Sequence, residues 1–160
     1  MTEFDLTPSW SYVADGVMGG VSKGGMTQEI YNGRMASVLR GAVSLENNGG
    51  FVQIAFDLNP EGSSFDASAW SGLVLDVCGN DESYDLRLRT SDLTRPWQSF
   101  RTGFEATTLW QSKRIPFEAF EAHRTDAEFH ASKLKRIGIL AIGRAFQAEV
   151  AIASLRLYRD

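Results

Sequence analysis

Cysteine is nearly missing: Cys78 stands alone in 160 residues. No intrachain disulfide can close, and no Cys-x-x-Cys is present to hold zinc or exchange thiols. That usage fits a reducing compartment. Histidine is almost as scarce. His123 and His130 lie seven apart with Asp126 and Glu128 between them, and the segment reads as a solvated helix rather than a metal motif. Lysine occurs only at Lys23, Lys113, Lys133 and Lys135, so arginine carries most of the positive charge. Acids outnumber bases 20 to 16, for a net charge of -4. A chain that tracks phosphate backbones needs the opposite balance, so nucleic acid is not an expected partner. No apolar run approaches the ~18 residues of a membrane span. Met-Thr-Glu-Phe-Asp opens with acid where a secretory signal or transit peptide needs basic residues. The expectation is a cytoplasmic protein without a membrane span. Also missing is a Gly-x-Ser-x-Gly elbow, and Cys78 sits inside an apolar run where thiols are usually inert. No enzymatic activity is expected.

What the chain does have is glycine beside short apolar stretches. The length suits one domain, residues 1-160, able to bury roughly 70% of its unfolded surface. Loose alternation around Trp10 to Val13 and from Met26 to Leu39 predicts strands, with Asn32-Gly33 as a two-residue hairpin turn. Phe51 to Phe56 continues the pattern until turn formers break it at Asn59 to Ser64. Gly72 to Gly79 is an apolar run bounded by glycines, as in a central buried strand. Tyr84 to Thr90 alternates strictly. A strand there puts Tyr84, Leu86 and Leu88 on one face and Asp85, Arg87 and Arg89 on the other.

Further strands are predicted from Trp97 to Thr102, from Trp110 to Pro116, at Ile137 to Ile142 and from Val150 to Tyr158. Phe117 to Ala122 spaces two Phe three apart as a short helix. Many short strands with one or two short helices predict an all-β antiparallel sandwich or jelly roll.

The candidate site residues each carry two readings. Asp15 caps a turn or supplies an oxygen to calcium, which wants six or more oxygens. No acidic cluster accompanies it, so no metal is expected. Neither phosphate-loop pattern fits Gly16 to Gly25, and no cofactor is expected. Glu46, Asn47 and Asn48 precede a glycine pair, where they serve a turn or a recognition loop. Arg87 and Arg89 form a solvated face or a forked pair that grips a carboxylate, sugar hydroxyls or an acidic patch. Trp97 and Gln98 supply a stacking plate and an amide for a sugar or peptide groove, or Trp97 is core, as a Trp in a sandwich more often is. A hydrolase would need paired carboxylates, and Asp76 with Asp85 is the one same-face pairing to test.

Several strings recur together in an order that matters: Asp15-Gly16-Val17-Met18-Gly19-Gly20-Val21-Ser22, then Ser44-Leu45-Glu46-Asn47-Asn48-Gly49-Gly50-Phe51, then Leu86 to Thr90, Ile115-Pro116-Phe117 and Ile137 to Leu140. With Trp10, they make the chain resemble the complex I intermediate-associated protein 30 family from about Phe4 to Tyr158. The resemblance implies a galactose-binding-like β-sandwich, similar in shape to some carbohydrate-binding modules. It also implies a chaperone-like assembly role for the mitochondrial members, without NADH chemistry. Unlike in those members, no transit peptide is expected at this chain's acidic start, and Ala14 stands where many carry a polar residue. The expected function is a non-catalytic interaction module. Its partner would be a protein, with respiratory complex subunits or assembly intermediates as candidates; the alternative is a saccharide on the Arg87/Arg89 face.

Overall fold

The computed structural model describes residues 2–14, 22–46 and 50–160, and those residues form two six-stranded sheets. In chain order the strands are β1 (Thr2–Asp5), β2 (Ser11–Ala14), β3 (Lys23–Tyr31), β4 (Arg34–Val43), β5 (Phe51–Asp57), β6 (Gly72–Gly79), β7 (Glu82–Thr90), β8 (Ser99–Ala106), β9 (Gln111–Pro116), β10 (Glu121–His123), β11 (Leu134–Ile142) and β12 (Phe146–Arg159). The first sheet runs β3-β4-β12-β6-β9, with β1 added beside the later half of β12. The second runs β10-β8-β7-β11-β5-β2. Each pairing is antiparallel. This is the all-β sandwich expected from the strand spacing.

The local reasons are visible strand by strand. Asn32 and Gly33 both take positive φ, 44° and 87°, the geometry of a two-residue hairpin whose twist matches its strands. They join β3 to β4 in continuous register from Lys23↔Ala42 to Tyr31↔Arg34. In β7 the alternation is literal: Tyr84, Leu86 and Leu88 are buried in the core, while Asp85, Arg87 and Arg89 point away from it. β6 is buried on both faces along its length. Its Gly72 has no room for a side chain, since an added Cβ would lie 2.3 Å from the Ile115 carbonyl oxygen. Pro116 closes β9 at the edge of the first sheet, where its missing N–H costs no ladder bond.

The core between the sheets is built from the inward sides of both. Leu73, Leu75, Val77, Leu155 and Leu157 meet Val52, Ile54, Ile137 and Ile139. Tyr84 ties the two layers: its hydroxyl lies 2.6 Å from Asn80 Oδ1 and accepts the Glu149 backbone N–H at 2.9 Å, across on β12.

Three expectations need correction. The short helix at Phe117 to Ala122 is only a 3-10 turn, Phe117–Ala119, that passes at once into β10. The His123 to His130 segment is not helical: His123 ends β10, Arg124 takes a positive φ of 60°, and His130 precedes a second 3-10 turn, Ala131–Lys133. Asp76 and Asp85 do not share a face, because they project outward from different sheets on opposite sides of the sandwich.

Asp76 belongs to an ion network instead. Ser112 donates to it at 2.6 Å, Arg156 at 2.8 Å and Arg34 at 3.1 Å. Burial pushes its carboxyl upward, but the Ser112 and Arg34 hydrogen bonds and the charges of Arg156 and Arg34 outweigh it and hold the group below the usual value. The hydroxyl of Tyr31 and the guanidinium of Arg40 likewise hold Glu149 low. A carboxylate whose folded pKa is depressed stabilises above the unfolded value, and that stabilisation disappears as pH falls through the folded one. The melting temperature should therefore fall below about pH 4. Asp76→Asn should start lower at neutral pH and show a shallower acid limb in a melting series; an identical limb would remove Asp76 from the account.

Candidate functional site

Outward-facing positions of the second sheet line up in rows because antiparallel registers place them side by side. Arg136 on β11 stands opposite Arg89 on β7 and opposite Asp57 on β5. In the next row Arg87 faces Arg101 on β8 on one side and Gly138 on the other. One row further, Leu140 lies between Asp85 and Gln53, and Gln53 pairs with Val13. Gly138 leaves a gap in this surface. A Cβ there would stand 3.3 Å from Leu140 Cδ1, 3.5 Å from Gln53 Nε2 and 3.6 Å from Ala55 Cβ.

Around that gap lies a groove of about 580 Å³, larger than two others of about 370 and 320 Å³ on the first sheet's side. Its volume is in the range of ligand-sized clefts. Phe51, Gly138 and Leu140 make an apolar floor, Pro96 and Trp97 a wall, and Arg87, Arg89 and Arg136 supply charge. No acid is among the described residues that line it. Trp97 is 52% exposed, which corrects the core reading. The strand expected to begin at Trp97 begins at Ser99, so Trp97 sits in the turn before β8.

That turn is held by two of the predicted residues. Arg89 donates from Nε to the Gln98 carbonyl at 3.2 Å and from Nη2 to the Arg95 carbonyl at 3.0 Å. Gln98 accepts at Oε1 from the backbone N–H groups of Thr94 and Arg95, both at 3.1 Å. Arg95 lies over the Trp97 ring at 6.0 Å. Arg87 is paired to Asp85 at 3.0 Å and Arg136 to Asp57 at 3.0 Å. Arg89 has no carboxylate partner among the described residues, and its burial first, then the charge of Arg136, lower its pKa. The same field reaches His123, whose pKa is lowered by burial and by Arg101, Arg87 and Arg124.

The structure thus brings Arg87, Arg89, Trp97 and Gln98 together. Glu46 is exposed on a loop, its N–H donating to Ser44 Oγ at 3.3 Å, and does not line the groove. Asp15, Asn47 and Asn48 lie outside the described residues. The two glycine strings that contain them do meet at their described ends. Ser22 Oγ accepts the Ser44 N–H at 2.8 Å and donates to its carbonyl at 3.2 Å, and Ala14 pairs with Val52 just after Phe51.

Residues missed from sequence are Arg136, Gly138, Leu140, Gln53 and Ser99. The signal was available in parity: once Ile137 and Ile139 face the core, Arg136, Gly138 and Leu140 must face out. No group of three or more His, Cys, Asp or Glu able to hold a metal ion occurs among the described residues. No helix among them is long and apolar enough to cross a membrane.

The fold is similar to that of solved carbohydrate-binding modules. The family 11 module of the cellulosomal cellulase Lic26A-Cel5E of Clostridium thermocellum aligns with a TM-score of 0.80 at 11% identity, covering 100% of this chain and 96% of that one. The family 30 module of the cellulosomal cellulase Cel9D-Cel44B of the same organism aligns at 0.74 and 14% identity, covering 100% and 99%. A family 11 module solved with a β-1,3-1,4-mixed-linked tetrasaccharide aligns at 0.78 and 10% identity, covering 98% and 95%. At such identities the likeness concerns the fold. No curated protein matches the chain significantly. The family model for complex I intermediate-associated protein 30 matches residues 2–152, and the chain belongs to that family.

Proposed function

We propose that the chain is a non-catalytic docking module that takes part in assembly of respiratory complex I, binding a protein partner in the groove of the second sheet. Family membership supports the assembly role. The observation that carries the docking surface is the exposed Trp97, in a turn held by Arg89, beside a groove whose charged lining is basic among the described residues. Exposed aromatics and arginines are the residue types that most often dominate protein interfaces. A rigid ring beside an apolar floor gains area at small entropic cost.

The test is affinity capture with the tagged chain from its source cells, paired with native-gel analysis of complex I in a deletion strain. Recovery of complex I subunits and loss or stalling of the complex on deletion are expected. Unchanged complex I with no subunit recovered would refute the reading.

A second reading is a saccharide in the same groove, favoured by the Trp97 plate beside the Gln53 and Gln98 amides and by fold neighbours that are carbohydrate-binding modules. A ligand at 100 times its Kd should add about 2.7 kcal/mol to stability, so a glycan panel that leaves the melting temperature unmoved would remove it.

A further inference from the structure

We infer that the groove selects an acidic, extended stretch of polypeptide, one of whose carboxylates is held between the Arg89 guanidinium and the Ser99 hydroxyl. This rests on the docking reading and specifies its partner's chemistry.

Charge is the first argument. Arg87 stands directly opposite Arg101, and Arg89 directly opposite Arg136, so two like-charged cross-strand pairs lie side by side. Like charges directly opposite destabilise a sheet. Asp85 offsets one and Asp57 is bonded to Arg136, but Arg89 lines the groove with no carboxylate bonded to it among the described residues. In a chain of net charge -4 this cluster does not follow from composition. An incoming carboxylate would supply the missing counter-charge, and a neutral sugar would not.

The second argument is independent of charge. Ser99 lines the groove, is 4% exposed, and its Oγ has no hydrogen-bond partner among the described residues. A buried hydroxyl left unpaired carries its full desolvation penalty. A carboxylate has two oxygens, enough to accept from Ser99 O–H and from an Arg89 N–H at once.

The third is size. From β8 to β2 the groove crosses four strand intervals, about 19 Å, which is the reach of about six extended residues. The apolar floor at Phe51 and Leu140 gives such a segment somewhere to place side chains between its acids.

The probes are a labelled, acetylated octapeptide alternating Glu with Tyr and Ala, its Gln counterpart, inorganic phosphate and a neutral mixed-linked tetrasaccharide, read by fluorescence anisotropy and competition. The Glu peptide should bind at least tenfold tighter than the Gln peptide, and the preference should shrink in about 0.5 M salt. Arg89 also holds the turn of Trp97, so its replacement risks the local structure. Ser99→Ala carries the decision instead: affinity for the Glu peptide should fall about five- to tenfold while the melting temperature is unchanged or higher.

Equal binding of the two peptides, an unaltered affinity in Ser99→Ala, or competition by phosphate or tetrasaccharide as strong as by the Glu peptide would each overturn the inference. Gly138→Val, which fills the groove, separates the two levels. If it releases the cellular partner while the two peptides bind alike, docking stands and the acidic preference falls. If the partner stays bound, the groove is not its docking surface, and the reading that places docking there falls.

Discussion

Replacing Tyr84 with alanine is expected to lower the melting temperature by about 6–20 °C, the largest loss foreseen for any single side chain described above. Tyr84 is 2% exposed and packs beside Phe104 and Phe146 at ring separations of 6.1 and 6.0 Å. Removing a buried aromatic typically costs about 3–5 kcal/mol through lost transfer energy and the cavity left behind. Here the change also strands the Glu149 N–H, which loses its acceptor. Burial pushes the phenol up to about 12, so the hydroxyl is protonated throughout the neutral range and keeps its role as donor and acceptor. Tyr84→Phe keeps the ring and deletes the hydroxyl, and should cost about 1–3 kcal/mol. Thermal and urea melts of the two variants give the ranking. An alanine variant that melts like the parent would mean that β12 is held to β7 by other contacts.

A second large effect is expected at Gly138, with the opposite signature. Valine there puts two methyl groups into the groove where the glycine leaves none, against the end of Leu140 and the amide of Gln53. Gly138 carries an ordinary backbone conformation, so no left-handed geometry is lost. Valine also favours a strand over glycine. Stability should change by no more than about 1 kcal/mol in either direction. Partner capture should fall by tenfold or more, since a wall now occupies the space for the ligand. Anisotropy or pull-down against unchanged circular dichroism and melting is the decisive combination. Full partner capture by the variant would locate docking elsewhere, with the glycine strings around Ser22 and Ser44 the next surface to test.

The contrast between these two positions shows what was legible in the sequence. Tyr84 could be assigned inward because β7 alternates without exception, a local pattern that needs no partner strand. Asn32-Gly33 could be assigned a turn for a similar local reason. Gly138 was hidden. Ile137 to Ile142 reads as one continuous apolar run because the outward positions are filled by glycine and leucine rather than by polar residues. Those positions are apolar because they floor a groove, so the feature that makes the site also erases its periodicity. Trp97 misled through size: large aromatics are mostly buried, and only the Arg89 and Gln98 contacts explain how one is held outside. The His123 to His130 segment misled through composition, since polar residues at helical spacing also suit an irregular connection. The pairing of Asp76 with Asp85 needed knowledge of which strands share a sheet, and that depends on partners far apart along the chain.

One such partner is β12. Its earlier part pairs with β4, its last four residues with β1, and its stretch from Val150 to Tyr158 with β6. During folding, the β3–β4 hairpin and the β6–β9 pair must therefore keep open edges until β12 is available to join them. Chains in which β12 has not yet joined should need shielding, and their collapse to the native layer should run on the slow millisecond-to-second scale of non-local β-topologies.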